Sequence, residues 1–361
     1  MGAPVELNRH RFGANYVPSQ DWYYSWNNFD ADSVARDFDA LAALGLDHIR
    51  LMTIWPWFHP NPDWVSSAHL DRLAVTMDLA RGRGLDVMVT AFTGWLCGYS
   101  FEPNFVPRDQ FYTHQWDVQD HYLTRLAGTV ADRTNFLGFD LGNELNCQWQ
   151  APDTATGDAW MRQARHRCHE LAPGRVHVNG VDHQPWFEPR TFSARALARE
   201  QPIVPLHAWI LFTGAMERGG PESLVCRGLL ASMARLARAW AGQADKPIWI
   251  QEFGASYDWM PEADKADFLT ESVTHGISEG VAWFTWWCSH DIHPRLRFPS
   301  LEYDMGLLDT DNRPKPHALA FRDLARTFSG RRVTIPDRPL IAPPPSETEA
   351  TWRWLLDTQA D

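Results

Sequence analysis

Two short apolar runs, FLGFDLGNELN (136–146) and KPIWIQEFGAS (246–256), each stop at a glutamate, Glu144 in the first and Glu252 in the second. A carboxylate at the end of a hydrophobic strand is costly to hold unless a partner or a reaction uses it. One such acid reads equally well as the ion-paired end of a strand. Two of them, the first preceded by Asn143, match the carboxylate pair that cleavage of a glycosidic bond requires. One carboxyl keeps a proton for the leaving oxygen, and the other is ionised to attack the sugar or to activate water. Further polar and aromatic residues stand at the ends of other apolar runs. Arg50 lies in DHIRLMTI (47–54), and LDVMVTAF (85–92) runs into Thr93, Gly94 and Trp95. PIVPLHAW (202–209) carries His207 and Trp209, and VAWFTWW (281–287) ends in Trp286 and Trp287. Any one Arg or His in such a place is ordinarily a salt bridge or a satisfied core residue. Their coincidence at strand ends points to a site.

The elements that would position these residues alternate regularly. RFGANYV (11–17) reads as a first strand, and 32–44 as a helix capped by Asp32 and stopped by Gly45. Strands at 47–54, 85–92, 136–142, 175–180, 202–209, 247–253 and 281–287 follow. Helices are predicted over 68–83, 117–133, 158–171, 191–200, 221–241, 264–276 and 316–328. Pro205 weakens the sixth strand and needs a bulge or an unpaired position. Eight strand–helix repeats predict a closed parallel (β/α)8 barrel over 1–329, with its site at the C-terminal strand ends. An open doubly wound sheet is the competing architecture, but no glycine-rich phosphate loop follows the first strand. Residues 330–361 are Pro-rich, and read as an extended strap on the barrel exterior, tacked down by Trp352 and Trp354, or as a partly disordered tail. Period-two alternation in the seventh strand puts Ile248, Ile250 and Glu252 on one face, the barrel-facing row.

The totals narrow the function. A net charge of −12 makes nucleic acid an improbable partner and suits a neutral ligand. Nineteen tryptophans exceed what a core of this size ordinarily uses, and some can stack on the apolar faces of a sugar. No stretch is long enough to span a membrane, and the N-terminal residues lack the charge-then-apolar pattern of a signal peptide. Five cysteines with no CxxC spacing support neither zinc nor a disulfide framework, which suits the cytoplasm. HRCHE (166–170) is no His-Glu-x-x-His motif, and a solvated helix face is its expected role. His290, Asp291 and His293 follow the eighth strand, as sugar contacts or as a loop network. Neither metal nor cofactor is expected. The partner is a small oligosaccharide, and the oligomeric state is left open.

These residues resemble glycoside hydrolase family 5, in the clan of retaining barrel glycosidases. The resemblance rests on the Asn143-Glu144 pair, the IQEFG around Glu252, Arg50 in the second strand, His207 in the sixth and Trp286 in the eighth, and it spans about residues 10–328. It implies that Glu144 is the acid/base and Glu252 the nucleophile. Asn143 would hold the sugar 2-hydroxyl, Arg50 would lie beside Glu252, and Trp286 would floor the subsite of the sugar being cleaved. The charge of Glu252, with desolvation, would keep Glu144 protonated for the first step. The family usually has His-x-Tyr on the sixth strand, where this chain has His207-Ala208-Trp209. Either the Trp209 indole N–H or another tyrosine such as Tyr257 would then meet the nucleophile. FGANYV and Thr93-Gly94-Trp95 look more like the mannan-cleaving branch, and in particular subfamily 18, whose β-mannosidases release mannose from mannosyl-β-1,4-N-acetylglucosamine.

The expected activity is therefore that of a retaining exo-β-mannosidase. An endo-β-1,4-mannanase or glucanase is the enzymatic alternative, and a catalytically silent sugar-binding barrel a more distant one. An exo enzyme needs a blind pocket. The loop 93–115, Trp55-Pro56-Trp57 and the connection 287–304 with Glu302 supply material for a wall, with Trp95 and Trp286 among its lining.

Overall fold

The computed structural model describes residues 5–359; residues 1–4, the start of the N-terminal segment, and residues 360 and 361 lie outside that range. Eight parallel strands form a nearly closed barrel: β1 (Arg11–Tyr16), β2 (His48–Met52), β3 (Asp86–Thr93), β4 (Phe136–Asn143), β5 (Val178–Gly180), β6 (Val204–His207), β7 (Ile248–Phe253) and β8 (Trp283–Trp286). Hydrogen-bonded neighbours run β5-β4-β3-β2-β1-β8-β7-β6. The two ends of this series, β5 and β6, lie against each other and complete the ring. β6 thus ladders with β7 alone, in register Pro205 to Trp249, so a strand containing proline sits beside the seam. Helices α1 (Ala31–Ala43), α2 (Ser67–Arg81), α3 (Trp116–Val130), α4 (Thr154–Leu171), α5 (Ala194–Glu200), α6 (Leu229–Ala241), α7 (Lys265–Ser278) and α8 (Pro316–Phe328) surround it. None of the described helices is long and apolar enough to cross a membrane.

Local chemistry adjusts several predicted boundaries. The cap of α1 is Asp30, not Asp32; its carboxylate accepts from the N–H groups of Asp32 and Ser33 at 2.9 and 3.1 Å. Helix α4 starts earlier than periodicity implied, because Asp153 accepts from the Thr156 N–H at 2.8 Å. The predicted helix 221–241 is two pieces, Leu224–Arg227 and α6, broken at Gly228. A β-carbon at Gly228 would stand 2.4 Å from the Gln359 side chain, so the break accommodates the docked C-terminus.

The lower barrel is filled by Met88, Leu137, Val178, Ile203, Trp249 and Trp283. His48 is buried among them, 2.7 Å from Asp47 and from the Thr285 hydroxyl, which also accepts from the Trp249 indole at 2.7 Å. This packed floor fills the lower barrel interior, and the upper end of the barrel is where the carboxylates stand.

The C-terminal segment crosses the base of the barrel, where the Val333 N–H donates to Asn8 and His10 exchanges bonds with Gly330 and Arg331. It ends in a helix, α9 (Thr348–Gln359), against α6, where an extended strap was expected. Trp352 is buried there, donating to the Thr213 carbonyl at 3.1 Å with Arg218 over its ring, and the Trp354 indole donates to Ala342 at 2.9 Å. Both tryptophans hold the segment, but from a helix.

Candidate active site

The carboxylates stand at the top of the barrel, at the ends of β4 and β7. Arg50 on β2 is fully buried and spends its whole guanidinium there. Its Nε donates to Asp140 at 2.8 Å, Nη1 to Glu252 at 2.6 Å and to Asn15 at 3.1 Å, and Nη2 to Asn143 at 2.8 Å. Asp140 in turn accepts from the Gly180 N–H at 2.7 Å and the Thr90 hydroxyl at 3.2 Å. A charge in mid-strand is tolerable because the fork of the guanidinium is matched on every side. Asn143 has its amide oxygen on Arg50 and one amide hydrogen on the Trp95 carbonyl at 2.6 Å, which leaves its other hydrogen for a ligand.

Glu252 reaches this network through an irregularity. Ile248 and Ile250 join the core between strands and helices, whereas Trp249 joins the barrel interior. The predicted row is therefore off by one residue. Between Leu206 and His207 the β6–β7 register shifts, and Glu252 follows Gln251 to the inner face. The bulge turns what would be an outward residue toward Arg50. The Trp209 indole N–H donates to Glu252 at 3.3 Å, the role for which it or a tyrosine was expected. Tyr257 is half exposed and lines a different cavity with Asp291 and Tyr303.

Glu144 has a left-handed backbone, φ 48° and ψ 45°, rare for a residue with a side chain. Its N–H is held by the Gly180 carbonyl at 3.1 Å. A β-carbon at Gly142 would come within 2.2 Å of the Phe92 carbonyl, so the strand end packs too closely for any other residue. The Glu144 carboxyl lies 2.9 Å from His207 Nδ1, which is 3.4 Å from Glu252. Burial lowers the His207 pKa, so the ring is neutral. With its Nε2–H on the Gln251 amide oxygen at 3.0 Å, Nδ1 carries a lone pair, and a protonated Glu144 is the donor that completes the contact.

Burial raises both glutamates. Their mutual repulsion means that the pair shares a proton readily. Arg50 decides where it goes: the guanidinium touches Glu252 and makes no hydrogen bond to Glu144 among the described residues, so Glu252 is the one that ionises. To the repulsion expected from Glu252 the structure adds Asp182, which after burial is the main influence raising Glu144. Asp182 is fixed by the Asn146 side chain and by the Gln184 N–H at 2.9 Å. Oxygen atoms of Glu144 and Glu252 and a nitrogen of His207 lie within 4.8 Å of one another, near enough to ligate a cation. The guanidinium on Glu252 already supplies that positive charge, and a metal beside it would be repelled.

A cavity of about 200 Å³ opens above the pair, lined by Asn143, Glu144, Glu252, Glu302, Trp95, Trp209, Phe212 and Trp287 among others. Trp286, the expected floor, is not among them. It is buried on the outer side of β8, 5.0 Å from the Phe253 ring, with its N–H on the Met305 carbonyl at 2.8 Å. Alternation along β8 gives the reason: Trp283, Thr285 and Trp287 face inward, and Phe284 and Trp286 face the helices. His207, Trp209, Trp287, Asn143 and Arg50 converge as expected; Trp95 lies at the rim, 37% exposed.

The loops close one side. Phe298 packs on Tyr99 and Trp22, with centroids 5.2 and 4.9 Å apart, and Trp57 packs on Phe101 at 5.7 Å. Loops after β1, β2, β3 and β8 are thereby stitched together, the first of them an unforeseen contributor. Beyond the site, His290 is buried in a loop network with Asn312, Ser289 and Val17, and Asp291 pairs with Lys315. His166 and Glu170 are a solvated pair on α4.

Sequence reasoning missed Asn15, Asp140, Asp182 and Gln251. Asp140 was visible as a lone charge in an otherwise apolar strand. Asp182 carried no signal, since it stands in a loop whose approach to Glu144 depends on the fold.

No protein-family model and no curated protein sequence matches the chain. Solved structures do. A glutamate-to-alanine variant of a GH5_18 protein from Streptomyces cattleya, in complex with Manβ1-4GlcNAc, is 35% identical, with a TM-score of 0.86 over 91% of this chain and 83% of that one. A GH5_18 protein from Bifidobacterium longum subsp. infantis is 27% identical, with a TM-score of 0.85 over 90% and 80% of the two chains. A glutamate-to-alanine variant of the GH5_18 protein from Bifidobacterium longum subsp. longum, also with Manβ1-4GlcNAc, is 26% identical, with a TM-score of 0.84 over 92% and 80%.

Proposed function

Since the chain belongs to glycoside hydrolase family 5, in subfamily 18, and is a glycosidase, we propose that it is a retaining exo-β-mannosidase of small β-1,4-linked oligosaccharides, mannosyl-β-1,4-N-acetylglucosamine foremost. The carrying observation is a single small cavity above two carboxyls whose oxygens approach within 4.8 Å. That spacing fits the roughly 5–5.5 Å of retaining pairs and is shorter than the roughly 6.5–9.5 Å of inverting ones. The cavity falls below the about 300–1,000 Å³ of sites that enclose a drug-sized ligand, which favours one sugar ring.

In the first step Glu252 attacks the anomeric carbon while Glu144 gives its proton to the departing oxygen. Esterification removes the charge of Glu252, and Glu144 becomes easier to ionise. It then takes a proton from water, which attacks the glycosyl ester and restores Glu252. The free amide hydrogen of Asn143 faces the 2-hydroxyl, and Trp287, not Trp286, is the aromatic surface under the sugar. The Streptomyces and Bifidobacterium relatives, solved with Manβ1-4GlcNAc, support this choice of substrate. Action in the cytoplasm on imported fragments belongs to the same proposal, and cell fractionation tests it.

The test is product size and anomer. Early hydrolysis of mannohexaose should release mannose one unit at a time, and NMR should detect β-mannose first from mannosyl-N-acetylglucosamine. Trisaccharide or larger early products would overturn exo action, and α-mannose as the first anomer would overturn retention.

A further inference from the structure

The cavity holds a third carboxyl that the double displacement does not use. Glu302 lies in the turn Ser300–Glu302 of the connection after β8 and lines the same cavity as Glu144 and Glu252. That connection belongs to the closed side. Pro299 packs against Gly98, and the Tyr99 hydroxyl donates to the Arg297 carbonyl, so the loops after β3 and β8 hold Glu302 in the wall. The Cys97 thiol and the Trp287 indole N–H are its nearest donors, yet Oε2 is buried with no hydrogen bond of ordinary geometry. Arg50, the cation of the site, is fully engaged elsewhere. A buried carboxylate oxygen without a full hydrogen bond is costly, and a donor that arrives with the ligand would remove that cost.

We propose that Glu302 is the specificity-determining residue of the closed end: its carboxyl accepts hydrogen bonds from hydroxyls of the enclosed sugar remote from the scissile bond. The inference rests on the exo reading above. The chemistry is favourable, because two oxygens can receive two neighbouring hydroxyls, and a hydrogen bond to a charged acceptor is stronger than a neutral one. Only a sugar whose terminal hydroxyls are free satisfies Glu302. A chain extended at that position replaces the donor with an ether oxygen and leaves the carboxyl unpaired. Exclusion by the wall and selection by Glu302 thus act on the same end of the substrate. Burial, with the charges of Glu252 and Glu144 nearby, pushes this carboxyl up to about 7 in the free protein, and hydroxyl donors from the bound sugar favour its ionised, accepting form.

The experiment is a cycle between the protein and the substrate. Wild type, Glu302→Ala and Glu302→Gln are assayed with 4-nitrophenyl β-mannoside and its 2-, 3-, 4- and 6-deoxy analogues. Melting curves check that each variant folds, and Glu302→Gln, nearly the same shape, serves if the alanine variant does not. Glu302→Ala should lower kcat/KM on the parent by roughly 10–100-fold. The wild-type penalty for losing a 3-, 4- or 6-hydroxyl should nearly vanish in the variant for each hydroxyl that Glu302 holds. The 2-deoxy penalty, assigned to Asn143, should persist. Equal penalties in wild type and variant for every analogue would overturn the proposal and leave Glu302 a support for Trp287. If wild type does not cleave β-mannosides, the mannosidase reading fails by itself. The cycle is then read on the aryl glycoside that wild type does cleave.

Discussion

At the end of β7, Glu252 meets a guanidinium at 2.6 Å and an indole N–H at 3.3 Å; at the end of β4, Glu144 meets one neutral imidazole at 2.9 Å and the charge of Asp182. The two residues are chemically identical, with Glu252 buried and Glu144 slightly more open to the cavity. Their difference lies entirely in what surrounds them. Donors and a positive charge favour the ionised carboxylate, whereas a lone-pair acceptor and a second acid favour the protonated one. The backbones differ too: Glu252 is turned inward by a bulge in a regular strand, and Glu144 by a left-handed residue. Two local distortions deliver one carboxyl each to a common point.

Removing each glutamate tests this contrast most strongly. Glu252→Ala should lower turnover by roughly 10⁵-fold or more on every substrate, because no other group here can form the ester. Glu144→Ala should spare the first step for substrates with a very good leaving group, such as 2,4-dinitrophenyl glycosides. Azide should then accelerate the second step and yield a β-glycosyl azide, identified by NMR. Rescue of Glu252→Ala in that same β form, or none for Glu144→Ala, would reverse or dissolve the assignment.

A smaller effect is expected at Trp209. Trp209→Phe keeps the ring and removes the N–H at 3.3 Å, while the shorter, charge-assisted bond from Arg50 remains. kcat/KM should fall by roughly 10-fold, the scale of one modest hydrogen bond. Losing a donor to the ionised form raises the pKa of Glu252, so the acid limb of the pH–rate profile should move to higher pH. An unmoved acid limb would mean that Arg50 alone sets the charge of Glu252.

What the sequence made legible follows from what is local. Apolar runs ending in glutamate are a pattern within a strand, and the alternation of strands and helices is a pattern between elements; both survive without coordinates. The face of a residue survives less well. Glu252 was placed on the inner face by an alternation that the bulge breaks, and the floor that the resemblance put at Trp286 falls to Trp287, because two adjacent tryptophans cannot be told apart until the register with β7 and β1 is known. Arg50 was found beside Glu252 through resemblance, while Asp140 and Asn15, which fix it, were not. Their contacts join strands far apart in the chain, and one mid-strand acid announces no partner.

Asp182 gives the finest test, since it touches the proton's position and nothing in the covalent chemistry. Asp182→Asn keeps an amide oxygen for the Gln184 N–H, and removes the negative charge. Glu144 then loses its principal repulsive neighbour after burial, and its pKa falls. The sign follows from its role. The protonated form is needed for the first step, so kcat/KM declines as pH rises through that pKa, and a lower pKa brings the decline to lower pH. The basic limb should shift down by about one unit, the scale of one nearby charge partly screened, while the acid limb set by Glu252 stays in place. Activity at the optimum should fall only a few-fold. On 2,4-dinitrophenyl substrates, which need no proton from Glu144, the shift should disappear from the glycosylation step. If both limbs moved together, Asp182 would act on the pair as a whole and the separation between the two glutamates would rest on Arg50 alone.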